Sequence, residues 1–287
     1  MTDQPDAPRS RPASRPALSP SRAADFKQCP LLYRFRAIDR LPEAPSAAQL
    51  LGSLVHAALE QLYGLPATQR GPDTARSLVE PAWDRMIAEQ PALAAELDPG
   101  LRTQLLEEAR ALLSGYYRLE DPTRFDPDSC EQRVEVELAD GTLLRGFIDR
   151  IDVAATGELR VVDYKTGKAP PAARAAANFK AEFKAMFQMK FYAVALLRSR
   201  GVLAARLRLI YLADGQVLDY TPDRDELLRF EKTLIAIWRA IQSASQTGDF
   251  RPSPSRLCEW CPHQEHCPSF GGTPPPYPGW PEQLLAG

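Results

Sequence analysis

Hydrophobic positions change their spacing along the chain near residue 130. Up to about residue 119 they recur every three or four residues, which predicts amphipathic helices. The helices are predicted to begin at Ser19 and Pro20, to occupy the segment AAQLLGSLVHAALEQLYG up to a stop near Gly64, and to span roughly 72–90 and 101–119. After residue 130 hydrophobic residues alternate with polar ones, which predicts half-buried strands.

The second half of the chain reads as strands interleaved with helices. Strands are predicted in RVEVELADG, in TLLRGFIDRIDV and in LRVVDYKTG, followed by a helix in FKAEFKAMFQMKFYAVALLRSRG. A hairpin with Asp214 and Gly215 at its turn and a helix over 223–247 come next. This order predicts one α/β domain with a mixed central sheet flanked by helices. We expect it to span 18–270, between a disordered tail at 1–17 and a Pro-rich tail at 271–287.

Composition narrows the class of protein. The chain has 287 residues, of which 44% are hydrophobic and 25% charged, as in ordinary globular proteins. It has no apolar run of about 18 residues, so no membrane span is expected. The first residues contain Arg and Pro without an apolar stretch, so they are not a secretory signal, and a cytoplasmic location is predicted. The net charge of −2 does not by itself indicate nucleic-acid binding.

Two predicted strands carry carboxylates among hydrophobic residues. In LRVVDYKTG, alternation places Asp163 and Lys165 on the face of Leu159 and Val161, and in GFIDRIDV it groups Asp149 with Phe147, Ile151 and Val153. If the strands pair about the turn near Thr156 and Gly157, the two aspartates meet. Two carboxylates beside a lysine suit Mg²⁺, which prefers oxygen ligands. Two simpler readings stay open: Asp149 hydrogen-bonds a turn, and Lys165 forms only a salt bridge with Asp163.

Two helices supply further polar candidates. His56 and Glu60 lie one turn apart on an otherwise apolar helix, and Gln188 and Tyr192 are spaced in the same way. Taken alone, a histidine in this setting is usually a satisfied core residue, and the second pair is typical of the polar edge of an amphipathic helix.

The segments GSLVH, GFIDRID, VVDYKTG and QMKFYA, in this order, resemble the RecB-type nuclease domains of the PD-(D/E)xK superfamily, over about residues 19–270. The resemblance implies a restriction-endonuclease-like core that hydrolyses DNA phosphodiesters with Mg²⁺ or Mn²⁺. It implies that the metal ligands are His56, Asp149, Asp163 and the backbone carbonyl of Tyr164. Lys165 matches the catalytic lysine, and Gln188 and Tyr192 match a helix motif that lines the DNA path.

Five cysteines are present, and three of them, Cys258, Cys261 and Cys267, form a C-x2-C-x5-C pattern. Three ligands are one short of a closed tetrahedral site, which His263 or His266 could complete for zinc. Four cysteine thiolates instead suit a [4Fe–4S] cluster. The resemblance includes iron–sulfur members, CRISPR-associated and AddB-like, and implies that Cys29 is the fourth ligand. Such a cluster would join the N- and C-terminal segments, and Cys130 falls outside this pattern.

The resemblance implies a DNA exonuclease that acts on single-stranded DNA or DNA ends in repair, recombination or CRISPR adaptation. No Walker A motif is present, so any unwinding would need a helicase partner. Basic and aromatic residues near the cysteines would suit single-stranded DNA: Arg34, Arg36, Arg40, Arg251, Arg256 and Trp260. A solvated charged surface is at least as good a reading for each arginine. The alternative function is a non-catalytic DNA-binding or scaffold subunit of a helicase–nuclease complex.

Overall fold

A computed structural model describes residues 15–91, 98–170 and 186–280. Its helices are α1 (Pro20–Gln28), α2 (Pro30–Tyr33), α3 (Ala47–Tyr63), α4 (Pro72–Ser77), α5 (Val79–Glu89), α6 (Pro99–Tyr116), α7 (Phe187–Arg200) and α8 (Arg224–Thr247). Its strands are β1 (Ser129–Glu137), β2 (Leu143–Val153), β3 (Leu159–Lys165), β4 (Arg206–Tyr211) and β5 (Gln216–Tyr220). The elements follow one another in the predicted order. The helix predicted in FKAEFKAMFQMKFYAVALLRSRG corresponds to α7, and residues 179–185 of that prediction lie outside the described residues.

The five strands form one mixed sheet in the order β1-β2-β3-β4-β5. Neighbouring strands are antiparallel except β3 and β4, which are parallel. A parallel pair needs a crossover connection, and the stretch between these two strands contains α7. The predicted α/β fold with a mixed sheet flanked by helices is therefore confirmed.

The sheet separates two hydrophobic cores. On one face Leu159 and Val161 of β3 pack with residues of α7 and α8, and on the other face Val162 and Tyr164 pack with α3, α5 and α6. A strand covered on both faces needs apolar residues at consecutive positions. This burial explains the nearly continuous hydrophobic run that precedes the polar end of β3.

Side-chain caps fix the ends of the helices that border the site. Ser46 and Gln49 form a capping box at the start of α3, which satisfies backbone N–H groups that would otherwise lack partners. At α1 and α8 a single side chain caps the first turn: Ser19 accepts from the Arg22 N–H and Asp223 from the Glu226 N–H. The helix predicted up to Gly64 is confirmed, and its middle turns hold His56 against the sheet.

The prediction that Asp149 shares a strand face with Phe147, Ile151 and Val153 is only partly correct. Ile148 and Ile151 both pack into the hydrophobic core between the sheet and helices α7 and α8. Phe147, which alternation places on the same face as Asp149, is 53% exposed. The side-chain alternation of β2 therefore reverses near Asp149. On the paired strand β1, Glu131 has a φ of 46°, and the pairing keeps the same register on either side of it.

The first and last described segments both contact the sheet or its helices. Of the predicted tail 1–17, residues 1–14 lie outside the described residues; Ala17 is buried, and Leu18 pairs with Leu144 of β2. Near the other end, the Tyr277 hydroxyl donates to the Ser245 carbonyl of α8. Over the parts of the chain that the structure describes, every helix is too short or too polar to cross a bilayer.

Candidate metal centre and cysteine pocket

His56, Asp149 and Tyr164 meet where α3 packs against the middle of β2 and the end of β3. His56 Nδ1 lies 3.3 Å from Asp149 Oδ2, and His56 Nε2 lies 2.9 Å from the Tyr164 carbonyl oxygen. The Tyr164 N–H donates to Asp149 Oδ2 at 2.9 Å. The antiparallel register between β2 and β3, continued by one pair, sets Asp149 opposite Asp163. The pairing expected about the intervening turn is thus the one formed.

Asp163 is the most buried carboxylate of this group, with a side chain that is 1% exposed. Lys165 Nζ lies 2.7 Å from Asp163 Oδ2, so the simple salt bridge considered from the sequence does form. Among the described residues, neither Asp163 oxygen has a hydrogen-bond partner of acceptable geometry. A carboxylate buried with so few donors is costly unless a cation balances it. Lys165 is one such cation, and the imidazole, carboxylate and carbonyl donors of this corner are also of the types that bind divalent metal ions. Among the described residues, the group whose ligand atoms lie mutually within 4.8 Å is His56, Glu131 and Asp149, without Asp163.

Lys165 begins a short chain of hydrogen bonds with two polar side chains of α7. Its ammonium donates to Gln188 Oε1 at 3.0 Å, and Gln188 Nε2 donates to the Tyr192 hydroxyl at 3.3 Å. Tyr192 fits against the sheet because Gly146 has no side chain: a Cβ there would lie 2.8 Å from Tyr192 Cε1. Gln188 and Tyr192 therefore face the site, and the reading of this pair as a solvated helix edge is wrong.

The surroundings of Asp149 disfavour its charged form, whereas those of Lys165 favour its charged form. Burial, followed by the nearby Asp163 carboxylate, raises the pKa of Asp149 to about 7. Burial alone would lower the pKa of Lys165, but the negative charge of Asp163 outweighs burial and raises that pKa. Lys165 therefore stays an ammonium ion, and the remaining negative charge can be neutralised by a cation.

Glu131 is a site residue that the sequence did not reveal. Its Oε1 lies 4.0 Å from His56 Nδ1, and one ligand atom each from His56, Glu131 and Asp149 lie within 4.8 Å of one another. Burial raises the pKa of Glu131. Glu131 precedes the alternating stretch of β1 and belongs to none of the recognised motifs, so no pattern indicated that it turns inward.

The four cysteines of the predicted cluster line a single pocket. It lies between the junction of α1 with α2, which carries Cys29, and the segment 252–270, which carries Cys258, Cys261 and Cys267. Two sulfur atoms accept backbone hydrogen bonds: Cys29 Sγ from Ser253 and Cys258 Sγ from Ser255, at 3.4 and 3.3 Å. Cys130 instead packs against the hydrophobic core between the sheet and helices α3, α5 and α6.

The alternative zinc ligands are engaged elsewhere. His263 is buried, and its Nε2 hydrogen-bonds Glu43, while His266 Nε2 lies 3.3 Å from Glu265. Neither histidine lines the cysteine pocket. A tetrahedral site needs all four ligands about one small ion, so these partners make a mixed cysteine–histidine zinc site a poor fit.

The basic residues near the cysteines differ in their roles. Arg34 is 6% exposed and pairs with Asp39 at 3.0 Å, so the suggestion that it contacts DNA is wrong. Arg36 is held by Asp25 and Glu43 at 2.7 and 2.8 Å. Trp260, by contrast, is 73% exposed.

Comparison with known proteins gives one family and several relatives. A family model described as the PD-(D/E)XK nuclease superfamily matches residues 17–268. The Gene 69 protein of Mycobacterium phage D29 is 25% identical over 284 residues, covering 89% of this chain and 97% of the phage protein. The Gene 69 protein of Mycobacterium phage L5 is 31% identical over 150 residues, covering 49% of this chain and 47% of its own length.

Among solved structures, the chain resembles one from Eubacterium rectale that is named as a candidate exonuclease. The TM-score is 0.58 at 15% sequence identity, with 94% of this chain and 93% of that chain covered. At this identity the similarity establishes a shared fold.

Proposed function

Because the chain belongs to the PD-(D/E)XK nuclease superfamily, we propose that it is a deoxyribonuclease, specifically an exonuclease that requires Mg²⁺ or Mn²⁺. The observation that carries this proposal is the buried Asp163 carboxylate beside Lys165. A scaffold needs neither a buried carboxylate at this position nor a lysine fixed against it. A hydrolytic site needs both, because it must hold a cation and position a water molecule.

The proposed metal ligands are His56, Asp149, Asp163 and the Tyr164 carbonyl. Nitrogen and oxygen donors of this type suit Mn²⁺, and the oxygen donors also suit Mg²⁺. A divalent ion bound there would lower the pKa of a coordinated water and neutralise charge on the phosphate.

Lys165 is suited to stabilise the reacting phosphate. An ammonium group has three donors, and those toward Asp163 and Gln188 account for two of them, which leaves one for a phosphate or water oxygen. Gln188, fixed in turn by Tyr192, keeps the lysine from rotating away. In the proposed reaction a water oxygen attacks phosphorus, the bond to one deoxyribose oxygen breaks, and that oxygen leaves with a proton.

We propose single-stranded DNA or DNA ends as the substrate. The exposed Trp260 offers a surface on which a base can stack without regard to its identity, which supports this substrate. Repair, recombination or CRISPR adaptation, with a helicase as partner, is the setting that the sequence resemblance implies.

The test is cleavage of end-labelled single- and double-stranded DNA by anaerobically purified protein, with and without Mn²⁺. We expect shortened products that require the metal and disappear in Asp163→Asn. Cleavage that persists in this variant or in excess chelator would contradict the proposal. If the wild type binds DNA and Mn²⁺ but cleaves nothing, the scaffold function is the better account.

We further propose that the cysteine pocket holds a [4Fe–4S] cluster. Zinc–sulfur bonds of about 2.3 Å in a tetrahedron bring the sulfur atoms within about 4 Å of one another. Among the described residues, the cysteines form no group of three ligand atoms mutually within 4.8 Å, although all four line one pocket. The four irons of a cluster lie apart, so wider sulfur spacing suits it better than a single ion.

Iron, zinc and acid-labile sulfide content of anaerobically purified protein tests the cluster. We expect about four irons and four sulfides per chain, and loss of both in Cys29→Ser but not in Cys130→Ser, the matched control. One zinc per chain without sulfide would contradict this assignment and leave the nuclease proposal intact.

A further inference from the structure

An exposed aromatic ring lies on the outer face of the two strands β1 and β2, next to the metal corner. Leu144 and Ile148 of β2 pack in the core beside α7. Because side chains alternate along a strand, Arg145 and Phe147 point to the opposite face of the sheet. Helix α3 covers the part of that face formed by β3, but Phe147 remains 53% exposed. One side of its ring is therefore open to a ligand.

Two guanidinium groups surround this ring. Arg133 of β1 lies directly opposite Phe147 in the strand register, and its side chain is 59% exposed. Arg133 and Arg145 share the carboxylate of Glu135, at 2.6 and 2.8 Å, which leaves one positive charge in excess. Each guanidinium has five N–H donors, so donors remain for an anion such as a phosphate. These four residues form the β1–β2 face: Arg133, Glu135, Arg145 and Phe147.

The β1–β2 face adjoins the proposed metal position on both of its strands. Phe147 lies two residues before Asp149 on β2, which at the spacing of a strand is about 7 Å. On β1, Glu131 lies two residues before Arg133, and its Oε1 lies 4.0 Å from His56 Nδ1. A DNA strand with one phosphate at the metal corner therefore has the ring and the guanidinium groups within reach of its next nucleotide.

We propose that the β1–β2 face binds a single DNA strand beside the reacting phosphate, with a nucleobase stacked on Phe147 and a neighbouring phosphate bound by Arg133 and Arg145. The proposal rests on the nuclease function and adds the residues that select the substrate. A single strand fits because the bases of a duplex stack on one another, whereas an unpaired base offers its face to the ring. Stacking and phosphate binding both tolerate any sequence, so little base preference is expected.

Binding of short oligothymidylates that carry one 2-aminopurine tests the proposal, because stacking quenches the fluorescence of this base. The full chain is used in chelator, and the label is moved one nucleotide at a time from the end. Phe147→Ala removes the ring and Phe147→Tyr keeps it, while Val153→Ala changes another exposed apolar residue of β2 and is the matched control. Arg133→Gln and its control, the exposed Arg124→Gln, test the phosphate contact. Circular dichroism identifies any variant that does not fold.

We expect Phe147→Ala to bind single strands about tenfold more weakly and to lose the quenching, whereas Phe147→Tyr and Val153→Ala behave as the wild type. In Mn²⁺, Phe147→Ala should raise KM more than it lowers kcat. An abasic nucleotide at the quenched position should weaken binding by the wild type but not weaken binding by Phe147→Ala any further, since the contact is already absent. Arg133→Gln should reduce the slope of log Kd against log salt by about 0.7, and Arg124→Gln should not.

Wild-type binding and quenching by Phe147→Ala would overturn the proposal and leave the nuclease function intact. Equal weakening of single-stranded and duplex binding would also overturn it, because the ring would then not recognise unpaired bases. So would a dimer in sedimentation that Phe147→Ala dissociates, because the face would then bind a second copy of the chain. If the wild type neither binds nor cleaves DNA, the nuclease function itself is contradicted.

Discussion

Asp149→Asn should make the metal-free protein more stable at alkaline pH while it impairs metal binding. The Asp149 side chain is 9% exposed and lies near Asp163, so its charged form is disfavoured in the folded state. Asparagine has nearly the same shape, can accept the same hydrogen bond from the Tyr164 N–H, and carries no charge. The substitution therefore removes an electrostatic cost that the wild type tolerates for its site.

The pKa of Asp149 gives the size of this effect. A rise from 3.8 to about 7 is roughly three units, which corresponds to at most about 4 kcal/mol. Because the folded-state pKa is the higher one, its stabilising contribution is complete below the unfolded value and disappears as the pH rises through about 7. Metal-free wild type should thus lose stability between about pH 4 and pH 8, and Asp149→Asn should lose less.

Urea unfolding of both proteins in chelator, at several pH values, measures the difference. We expect nearly equal stability near pH 4 and an advantage for Asp149→Asn of about 2 to 4 kcal/mol near pH 8. Added Mn²⁺ should reverse the order, because a ligand stabilises only the protein that binds it. An Asp149→Asn protein that is less stable than the wild type in chelator at pH 8 would refute the reasoning.

Three further substitutions test residues that stabilise or position the side chains of the site. The Arg150 guanidinium is fully buried, and Arg150→Met leaves Glu120 and Asp152 without their counter-charge. The variant should lower the free energy of unfolding by about 3 to 5 kcal/mol. Arg124→Met, at an exposed position, is the control and should change the free energy of unfolding little. Gly146→Ala should displace the Tyr192 ring and slow DNA cleavage, which parallel measurements of cleavage and of tyrosine fluorescence would detect. Gln188→Ala should reduce the cleavage rate about tenfold or more without altering urea stability by over about 1 kcal/mol, since it removes an orienting hydrogen bond from a half-buried residue; an unchanged rate would exclude that role.

The fold was largely predictable because local and long-range preferences agree. The capping residues of α3 and the short turn between β2 and β3 specify those elements from adjacent residues alone. Once that turn closes, its length sets the register that places Asp149 opposite Asp163.

Features that depend on distant contacts were not predictable. Glu131 itself has a left-handed backbone conformation, and no pattern in the sequence around it signals that conformation. Arg34 is buried because it pairs with Asp39 and donates to the Pro275 carbonyl, far away in sequence. Likewise, the spacing of three cysteines indicates a site, but only the packing of α1 on segment 252–270 brings Cys29 to the same pocket.

Single-turnover cleavage of labelled single-stranded DNA in Mn²⁺ by Lys165→Met, next to Lys168→Met, tests the central claim most directly. Lys165 contacts Asp163 and Gln188, whereas Lys168, three residues later, is exposed. We predict that Lys165→Met cleaves at least about a hundredfold more slowly while it binds DNA nearly as well, and that Lys168→Met behaves as the wild type. Cleavage by Lys165→Met at the wild-type rate would contradict the account.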